Sequence, residues 1–522
     1  MTKPRDITFF QTLYKCYAQP LTKKYNRTLC TIAGATDSET TDYSVAKPFS
    51  EIPGPKGLPY FGTLFQYRLG RYRNIDRLQD ALMEQHRTYG KIMKETLLGE
   101  TSIHLFDPDY IKLVYQNEGK NPYLKPLLET AQIYRKMRHM SPGLGNMNGE
   151  EWYRLRSAVQ KMMLRPKEVT VYLPLVLEVA DDFLARIKSL RDENGEVKEF
   201  ANEAAKWSLE SSAMTCFEKR LGYLHGREDN SDEGQKMVDS NTTLFCQSAK
   251  LKYSLPLYRI FPTPKWKKLT EAEDYFFGRG QRLISECVSE IKTLSDKGQL
   301  EDGQYKFMSY LMSRPELDLK DVSIICLSLF ADGLRTTVPA LLFNLYTLAT
   351  NPEVQEKVLE EIRTVLPVDG VMITPEIINQ MTYLKACVKE TFRLFPVGLD
   401  VSRILQKNIV IGGYQLPTGT QVVLNNFVLF KNPKHFVDPE DFHPERWLRD
   451  GSACNVHPYI LTPFGHGVRM CAGRRFAEQE LYVLLTKILL KYQIQWHHGK
   501  MGQKYEILMV PDCPAQFSFV KR

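Results

Sequence analysis

The most specific stretch of the sequence is Phe464-Gly465-His466-Gly467-Val468-Arg469-Met470-Cys471-Ala472-Gly473, which Arg474-Arg475-Phe476-Ala477-Glu478 follows directly. It predicts a glycine-rich loop that brings one cysteine to the start of a helix. Backbone N–H groups at a helix N-terminus stabilise an anionic sulfur, and Arg469 adds a positive charge close to Cys471. The glycines allow the backbone to approach a large flat ligand without a Cβ between them. A lone cysteine is more often a small buried apolar residue, so its function depends on this surrounding pattern.

The length and composition are those of an ordinary globular protein. The chain has 522 residues, of which 43% are hydrophobic and 25% charged, and its formal net charge is +8. These proportions exclude disordered and fibrous proteins. Ten cysteines are too few for a disulfide-rich scaffold, which favours a reducing compartment. We find no stretch of the ~20 mostly apolar residues that a spanning helix needs, and we expect neither a membrane span nor a nucleic-acid partner.

The first thirty residues carry most of the net positive charge. They contain six lysines and arginines against the single acid Asp6, and their apolar residues recur at helical spacing. A basic, acid-poor amphipathic start is typical of a mitochondrial transit peptide, and a disordered basic tail is the alternative. We therefore expect residues 1–47 to be a transit peptide and leader, and residues 48–522 to form the folded body.

The body of the chain has a mainly helical pattern. Residues from about 150 to 405 are mostly helical in periodicity, whereas short segments around 91–106 and 408–430 predict strands. Neither an internal repeat nor a linker divides this region. The sequence predicts one large, mainly α (α+β) domain with small peripheral β-sheets.

The ten residues around Cys471 resemble, position for position, the haem-binding signature of the cytochrome P-450 family. The resemblance covers roughly residues 48–522 and implies the family's large helical fold. It implies that haem b is the cofactor, that Cys471 is the axial thiolate of its iron, and that Phe464 lies among the haem-binding residues. A thiolate ligand donates electron density that favours O–O bond cleavage. The implied activity is a monooxygenase that inserts one atom of O2 into a lipophilic substrate.

Further motifs occur at the spacing of the same family. Glu390 and Arg393 lie three residues apart on a predicted helix, and Arg446 follows within Phe442-His443-Pro444-Glu445-Arg446-Trp447. A charge pair at that spacing is ordinarily a solvated surface feature. The resemblance instead implies a structural cluster of these three residues that supports folding and haem incorporation. The resemblance also implies contacts to the haem propionates. Arginine pairs well with such carboxylates. The residues implied are Trp152, Arg156, Arg403 and Arg469.

The predicted oxygen-activation helix departs from the family pattern. The chain has Asp332-Gly333-Leu334-Arg335-Thr336-Thr337, with Arg335 where the family has an acid. Arg335 stays protonated and cannot relay protons as a carboxylate does. Asp332 lies four residues before Thr336 and so shares its helical face. Either Asp332 replaces the missing acid and acts with Thr336 in catalysis, or it binds a polar substrate group or pairs with Arg335.

A local basic patch is predicted beside the cysteine loop. It combines two lysines one helical turn apart with the two arginines that follow Cys471: Lys385, Lys389, Arg474 and Arg475. This arrangement resembles the mitochondrial group of the family, whose partner is an acidic, adrenodoxin-like [2Fe–2S] ferredoxin reduced by an NADPH-dependent reductase. The alternative is an ordinary solvated run of charges. The apolar and basic stretch from Leu255 to Lys268 favours peripheral contact with the matrix side of the inner mitochondrial membrane.

The resemblance implies a substrate class rather than a substrate. Mitochondrial relatives commonly act on sterols, steroid hormones or secosteroids, and in arthropods on ecdysteroids or xenobiotics. The Asp-Gly-Leu-x-Thr-Thr variant is similar to that of an arthropod subgroup linked to ecdysteroid-dependent cuticle development. Two other functions stay open: a haem–thiolate isomerase, lyase or peroxygenase that needs no electron donor, and a non-catalytic sterol-binding haem protein.

Overall fold

The computed structural model describes residues 42–225, 228–301, 304–366, 372–449, 451 and 456–522, apart from the side chains of residues 228–231. Residues from Asp42 to Arg522 belong to one compact unit. The predicted transit peptide lies almost wholly outside the described residues. Its boundary with the folded body therefore stays a prediction.

Helices form most of the described structure. The α-helices are α1 (Leu64–Arg68), α2 (Leu78–Tyr89), α3 (Pro108–Gln116), α4 (Glu129–Met137), α5 (Gly149–Leu164), α6 (Pro166–Thr170), α7 (Leu173–Leu190), α8 (Phe200–Phe217), α9 (Glu228–Lys252), α10 (Pro264–Asp296), α11 (Lys306–Met312), α12 (Leu319–Ala349), α13 (Pro352–Val365), α14 (Pro375–Gln380), α15 (Thr382–Leu394), α16 (Phe427–Phe430) and α17 (Arg474–Lys491). Short 3-10 helices occupy Phe49–Glu51, Ile75–Arg77, Leu144–Asn146, Leu257–Arg259, Pro444–Trp447 and Gly467–Arg469. The predicted mainly α class is confirmed.

The sheets are small. The strands are β1 (Ile92–Leu97), β2 (Glu100–Leu105), β3 (Glu196–Val197), β4 (Val401–Ile404), β5 (Ile409–Ile411), β6 (Tyr414–Leu416), β7 (Gln421–Leu424), β8 (Tyr492–Gln495), β9 (Gln503–Glu506), β10 (Leu508–Pro511) and β11 (Phe517–Lys521). The largest sheet has the order β1-β2-β7-β4, in which β2 and β7 run parallel and the other neighbours antiparallel. β3, β11 and β8 form a second sheet, and β5–β6 and β9–β10 are antiparallel pairs.

The strand predictions are confirmed with one exception. β1 and β2 fall within the predicted segment 91–106, and Asp107 ends it by capping α3, where its Oδ1 accepts from the N–H of Asp109 at 3.0 Å. β5, β6 and β7 fall within 408–430. The end of that segment is helical instead, because α16 places four apolar residues against the second core.

Helix α12 is the central element of the main core. Asp318 and Asp321 form a capping box at its N-terminus, and the helix continues through Pro339. By length and composition α12 is apolar enough to cross a membrane, so the prediction that no such stretch exists is wrong. However, 67% of its most apolar window is buried inside the protein. Its apolar surface is therefore that of a helix surrounded by protein.

Two apolar cores position the site. The main core packs residues of α7, α8 and α17 around α12, and the second core packs the four-stranded sheet against α2, α9 and α10. The loop that carries Cys471 leads directly into α17. Because α17 packs against α12, the loop lies close to the core helix.

Candidate functional site

The cysteine loop is a tight turn that depends on glycine. The N–H of Cys471 donates to the carbonyl of Phe464 at 2.8 Å. Gly465 and Gly467 have φ angles of +72° and +74°, where any other residue would be strained. Gly473 differs, since its φ of −81° is ordinary and it is the N-cap residue of α17. Its Cβ would lie 3.9 Å from Cys471 Sγ, which is normal contact.

The Cys471 thiol faces an enclosed space. The Cys471 side chain is exposed, yet burial is the largest cause of the raised pKa of its thiol. The negative charge of Asp332 raises this pKa further, whereas backbone N–H groups of Gly473 and Arg474 lower it. The predicted helix N-terminal donors are therefore in place. The positive charge of Arg156 also lowers this pKa, and the contribution of Arg469 stays a prediction.

Three arginines converge beside the cysteine loop. Arg156 donates to the carbonyl of Met470 at 2.6 Å, and Arg469 donates to the carbonyl of Pro122 at 3.0 Å. Burial, followed by the charges of Arg403 and Arg156, lowers the pKa of Arg469 to about 9. The three positive charges repel one another, so the cluster favours an anionic ligand.

One carboxylate already lies within this arginine cluster. Glu118 forms an ion pair with Arg403, and its field also reaches Arg469. One carboxylate against three guanidinium groups leaves the cluster with an excess of positive charge. Within the described part of the chain, Nε of Arg156 is buried without a hydrogen-bond partner. The cluster therefore fits a ligand with two carboxylates, such as the propionates of haem b, next to a cysteine that can ligate its iron.

Two aromatic residues predicted to bind haem, Trp152 and Phe464, hold parts of this site in place. The guanidinium carbon of Arg469 lies 3.9 Å from the centroid of the Trp152 ring, and Trp152 is 2% exposed. Trp152 thus orients Arg469 in the structure. The ring of Phe464 packs edge-on against Phe392 at a centroid distance of 5.3 Å. Phe464 therefore anchors the start of the cysteine loop to α15.

Two polar side chains, those of Asp332 and Thr336, lie in the middle of α12. Asp332 and Thr336 are exposed, although α12 is otherwise mostly buried here. The hydroxyl of Thr336 donates to the carbonyl of Asp332 at 2.7 Å. Burial raises the pKa of the Asp332 carboxyl to about 6. The negative charge of Asp332 reaches Cys471, where it raises the pKa of the thiol.

Arg335 pairs with an acid other than Asp332. It forms an ion pair with Glu506 at the end of β9, and its guanidinium carbon lies 5.8 Å from the ring centroid of Phe245 on α9. The proposed pairing of Asp332 with Arg335 is therefore wrong. Arg335 ties α12 to β9 and α9, which leaves Asp332 free to act in the cavity.

The predicted Glu390–Arg393–Arg446 triad is assembled in the structure. Arg393 Nε and Arg446 Nε donate to the Glu390 carboxylate at 3.0 and 2.9 Å. Trp447 Nε1 donates to it at 2.7 Å. Glu390 and Arg393 are 0% exposed and Arg446 is 5% exposed. The arginines also donate to backbone carbonyls of residues 430–441, so the triad fixes the loop before the cysteine motif.

The four predicted basic residues form one patch. The charge of Arg474 acts on Lys389, and that of Arg475 acts on Lys385. Lys389 Nζ lies 4.1 Å from the ring centroid of Trp447. Sequence reasoning missed Glu478, which pairs with Arg474 at 3.0 Å and with Arg475 at 3.3 Å. The patch is therefore less positive than its four cations indicate.

The family model described as "Cytochrome P450" matches residues 52–519. The chain belongs to the cytochrome P450 family. Members bind haem b through a cysteine thiolate, which agrees with the motif of Cys471 and the cationic cluster beside it. The protein is a cytochrome P450 monooxygenase.

Several named relatives cover nearly the whole P450 domain. The chain is 40% identical to "Probable cytochrome P450 CYP44" of Caenorhabditis elegans over 91% of its length and 94% of that protein. It is 34% identical to "Cytochrome P450 302a1, mitochondrial" of Drosophila melanogaster over 90% and 95%. It is 33% identical to "1,25-dihydroxyvitamin D(3) 24-hydroxylase, mitochondrial" of Mus musculus over 93% and 91%. The similarity includes mitochondrial P450s.

Proposed function

We propose that this P450 is a mitochondrial monooxygenase that hydroxylates a lipophilic, sterol- or ecdysteroid-like substrate. Electrons come from NADPH through a ferredoxin reductase and a [2Fe–2S] ferredoxin. The observation that carries the proposal is the arginine cluster beside the loop of Cys471, in which Arg156 donates to the carbonyl of Met470 at 2.6 Å. Relatives named as mitochondrial vitamin D and sterol hydroxylases support the location and the substrate class.

When bound, the haem supplies the iron at which O2 is reduced. Cys471 would hold the iron, and the propionates would be held by Arg156, Arg403 and Arg469. The chain's own catalytic groups are Thr336 and Asp332. The Thr336 hydroxyl donates to a backbone carbonyl, so its oxygen can accept a further hydrogen bond from the cavity. With a pKa near neutrality, the carboxyl of Asp332 can hold and release a proton in place of the family's usual acid.

An Asp332→Asn variant is expected to form product on the order of 100-fold more slowly and to consume more O2 per product. Burial raises the pKa of Asp332 to about 6. The carboxyl is therefore a donor below this pH, and the protonated fraction falls as the pH rises through it. Product formed per O2 consumed, measured from pH 5 to 8, should fall through this window in the wild type and be flat in the variant.

The matched control is Asp296→Asn, at the exposed end of α10. This variant should keep the wild-type pH profile. If Asp332→Asn leaves the ratio of product to O2 unchanged at every pH, Asp332 does not relay protons.

The basic patch supports a docking site for an acidic ferredoxin. Lys385, Lys389, Arg474 and Arg475 lie beside the loop that carries Cys471, where an electron would enter. Complementary charges steer a transient encounter and make it sensitive to salt. The double variant Lys385→Gln/Lys389→Gln should bind ferredoxin about 10-fold more weakly in low salt. The loss should shrink as ionic strength rises, as measured by titration of the oxidised proteins.

Lys292→Gln, an exposed lysine of α10, is the control and should bind normally. A double variant with wild-type affinity at low salt would show that the patch is an ordinary solvated surface.

A separate exposed surface supports peripheral contact with the inner membrane. Leu257, Ile260 and Phe261 are 43%, 82% and 52% exposed at the turn between α9 and α10. The start of α10 adds exposed basic residues, which are Lys265, Lys267 and Lys268. Apolar side chains flanked by lysines are typical of segments that lie in a membrane interface.

Reconstitution with ferredoxin, its reductase and NADPH tests the proposed activity. A screen of sterols and ecdysteroids for ligand-induced absorbance shifts should identify substrates, and product should form only with the complete electron-transfer chain. Conversion of a binding ligand without an electron donor would contradict the proposal.

A further inference from the structure

One backbone carbonyl between α4 and α5 accepts hydrogen bonds from three side chains. The Pro142 carbonyl accepts from Arg135 Nη1 at 3.0 Å and from Gln132 Nε2 at 2.9 Å. Asn146 Nδ2 donates to the same oxygen at 3.1 Å. One partner is enough to satisfy a buried carbonyl, so the three donors do more than compensate its burial. They fix Pro142 between α4 and the segment that follows it.

Arg135 is itself anchored inside the protein. Its guanidinium group forms an ion pair with Glu273 of α10 and lies 4.3 Å from the ring centroid of Phe277. Arg135 is 6% exposed and Glu273 is 0% exposed. The planar guanidinium presents its donors in a rigid fork. Arg135 therefore holds Pro142 from a fixed position on α10.

Residues 142–148 form a bridging segment whose first half contacts α12. The N–H of Leu144 donates to Ser328 Oγ at 2.9 Å. Gly143 has a φ angle of +84°, and a Cβ there would lie 3.3 Å from the same Oγ, so the chain passes close to the helix. Ser328 lies four residues before Asp332 and shares its helical face. The bridging segment is therefore attached to α12 one turn before Asp332.

The second half of the bridging segment contacts the cysteine loop. Arg469 Nη2 donates to the Met147 carbonyl at 2.5 Å and to Asn148 Oδ1 at 2.6 Å. Arg469 lies two residues before Cys471. The three residues from Leu144 to Met147 span at most about 10 Å. The bridging segment therefore ties α12 to the cysteine loop by a short, direct path.

We propose that Arg135 is a positioning residue for the haem site, which acts through the bridging segment on Arg469. This inference rests on the proposed contact of Arg469 with a haem propionate. The Arg135–Glu273 pair fixes Pro142, and the short segment carries that position to the acceptors of Arg469. If the segment shifts, Arg469 keeps its charge but loses its fixed orientation. Arginine–carboxylate pairing depends on that orientation, so haem would be held less tightly.

Release of haem to excess apomyoglobin, followed by absorbance, tests this role. The variant Arg135→Met/Glu273→Met removes both buried charges, so no unpaired charge remains and the unfolding midpoint should change little. It should release haem about 10-fold faster than the wild type, which is the usual effect of losing a hydrogen bond from a charged group. Amide hydrogen exchange should accelerate by a similar factor in the bridging segment and stay unchanged in α12.

Two further variants sharpen the comparison. Gln132→Met removes a neutral donor to Pro142 and should release haem about 3-fold faster; it decides the matter if the double variant does not fold. Arg279→Met/Glu233→Met is the matched control, because this arginine–glutamate pair joins α10 to α9 instead. It should keep the wild-type rate of haem release and the wild-type exchange of the bridging segment.

The outcomes separate the positioning role from the haem contact on which it rests. A wild-type rate of haem release from Arg469→Gln overturns the propionate contact and the positioning role together. Fast release from Arg469→Gln with wild-type release from Arg135→Met/Glu273→Met overturns the positioning role alone. Faster exchange throughout the protein with a lowered unfolding midpoint also overturns it, because the pair then only stabilises the fold. Neither a substrate nor an electron donor enters these measurements.

Discussion

Replacement of Cys471 by serine is expected to abolish product formation. The variant loses the thiolate that is proposed to ligate the haem iron, and the electron donation of a thiolate favours O–O cleavage. Backbone N–H groups of Gly473 and Arg474 stabilise that thiolate in the folded protein. The measurement is the absorbance of the reduced carbon-monoxide adduct, in which the shifted band of a thiolate ligand should disappear.

Cys513→Ser is the matched control because Cys513 is also free and lies outside the motif. It should keep both the band and the activity. Persistence of the shifted band in folded, haem-loaded Cys471→Ser protein would refute the assignment of Cys471.

A Glu390→Gln substitution is expected to lower the free energy of unfolding strongly. The carboxylate is 0% exposed and compensates two buried guanidinium groups, those of Arg393 and Arg446. Removal of one partner from a buried ion pair costs about 3–5 kcal/mol, because the remaining charge stays desolvated. Chemical unfolding should show this loss as a lower midpoint, and haem retention should fall with it.

Glu445→Gln provides the comparison on a neighbouring carboxylate. Glu445 is 45% exposed and pairs with Lys357 at 2.8 Å, so its loss should cost no more than about 1 kcal/mol. A Glu390→Gln variant as stable as Glu445→Gln would show that the buried triad contributes little to the fold.

Much of the fold follows from local sequence signals. Helices begin at local capping residues such as Thr374, whose Oγ1 accepts from the N–H of Ile377 at 3.3 Å. The error about α12 has a different origin. Its composition is that of a membrane span, and only the packing of neighbouring elements around it shows why a core helix can be so apolar.

In the candidate site, too, some features follow from neighbouring residues and others depend on distant ones. The Cys471 motif is contiguous, so its turn glycines and helix N-terminus could be predicted from adjacent residues. The partners of its charges could not. Glu118 lies 285 residues from Arg403, and Glu506 lies 171 residues from Arg335. No spacing rule links such residues.

The amino-acid order alone therefore predicts the haem ligand, the helical class and the triad, because each depends on residues in recognisable local patterns. The folded chain decided which acid neutralises Arg335 and which distant charges reach Cys471. Such pairings depend on which distant segments pack together and on how far each charge is removed from water. Both conditions are set by tertiary packing.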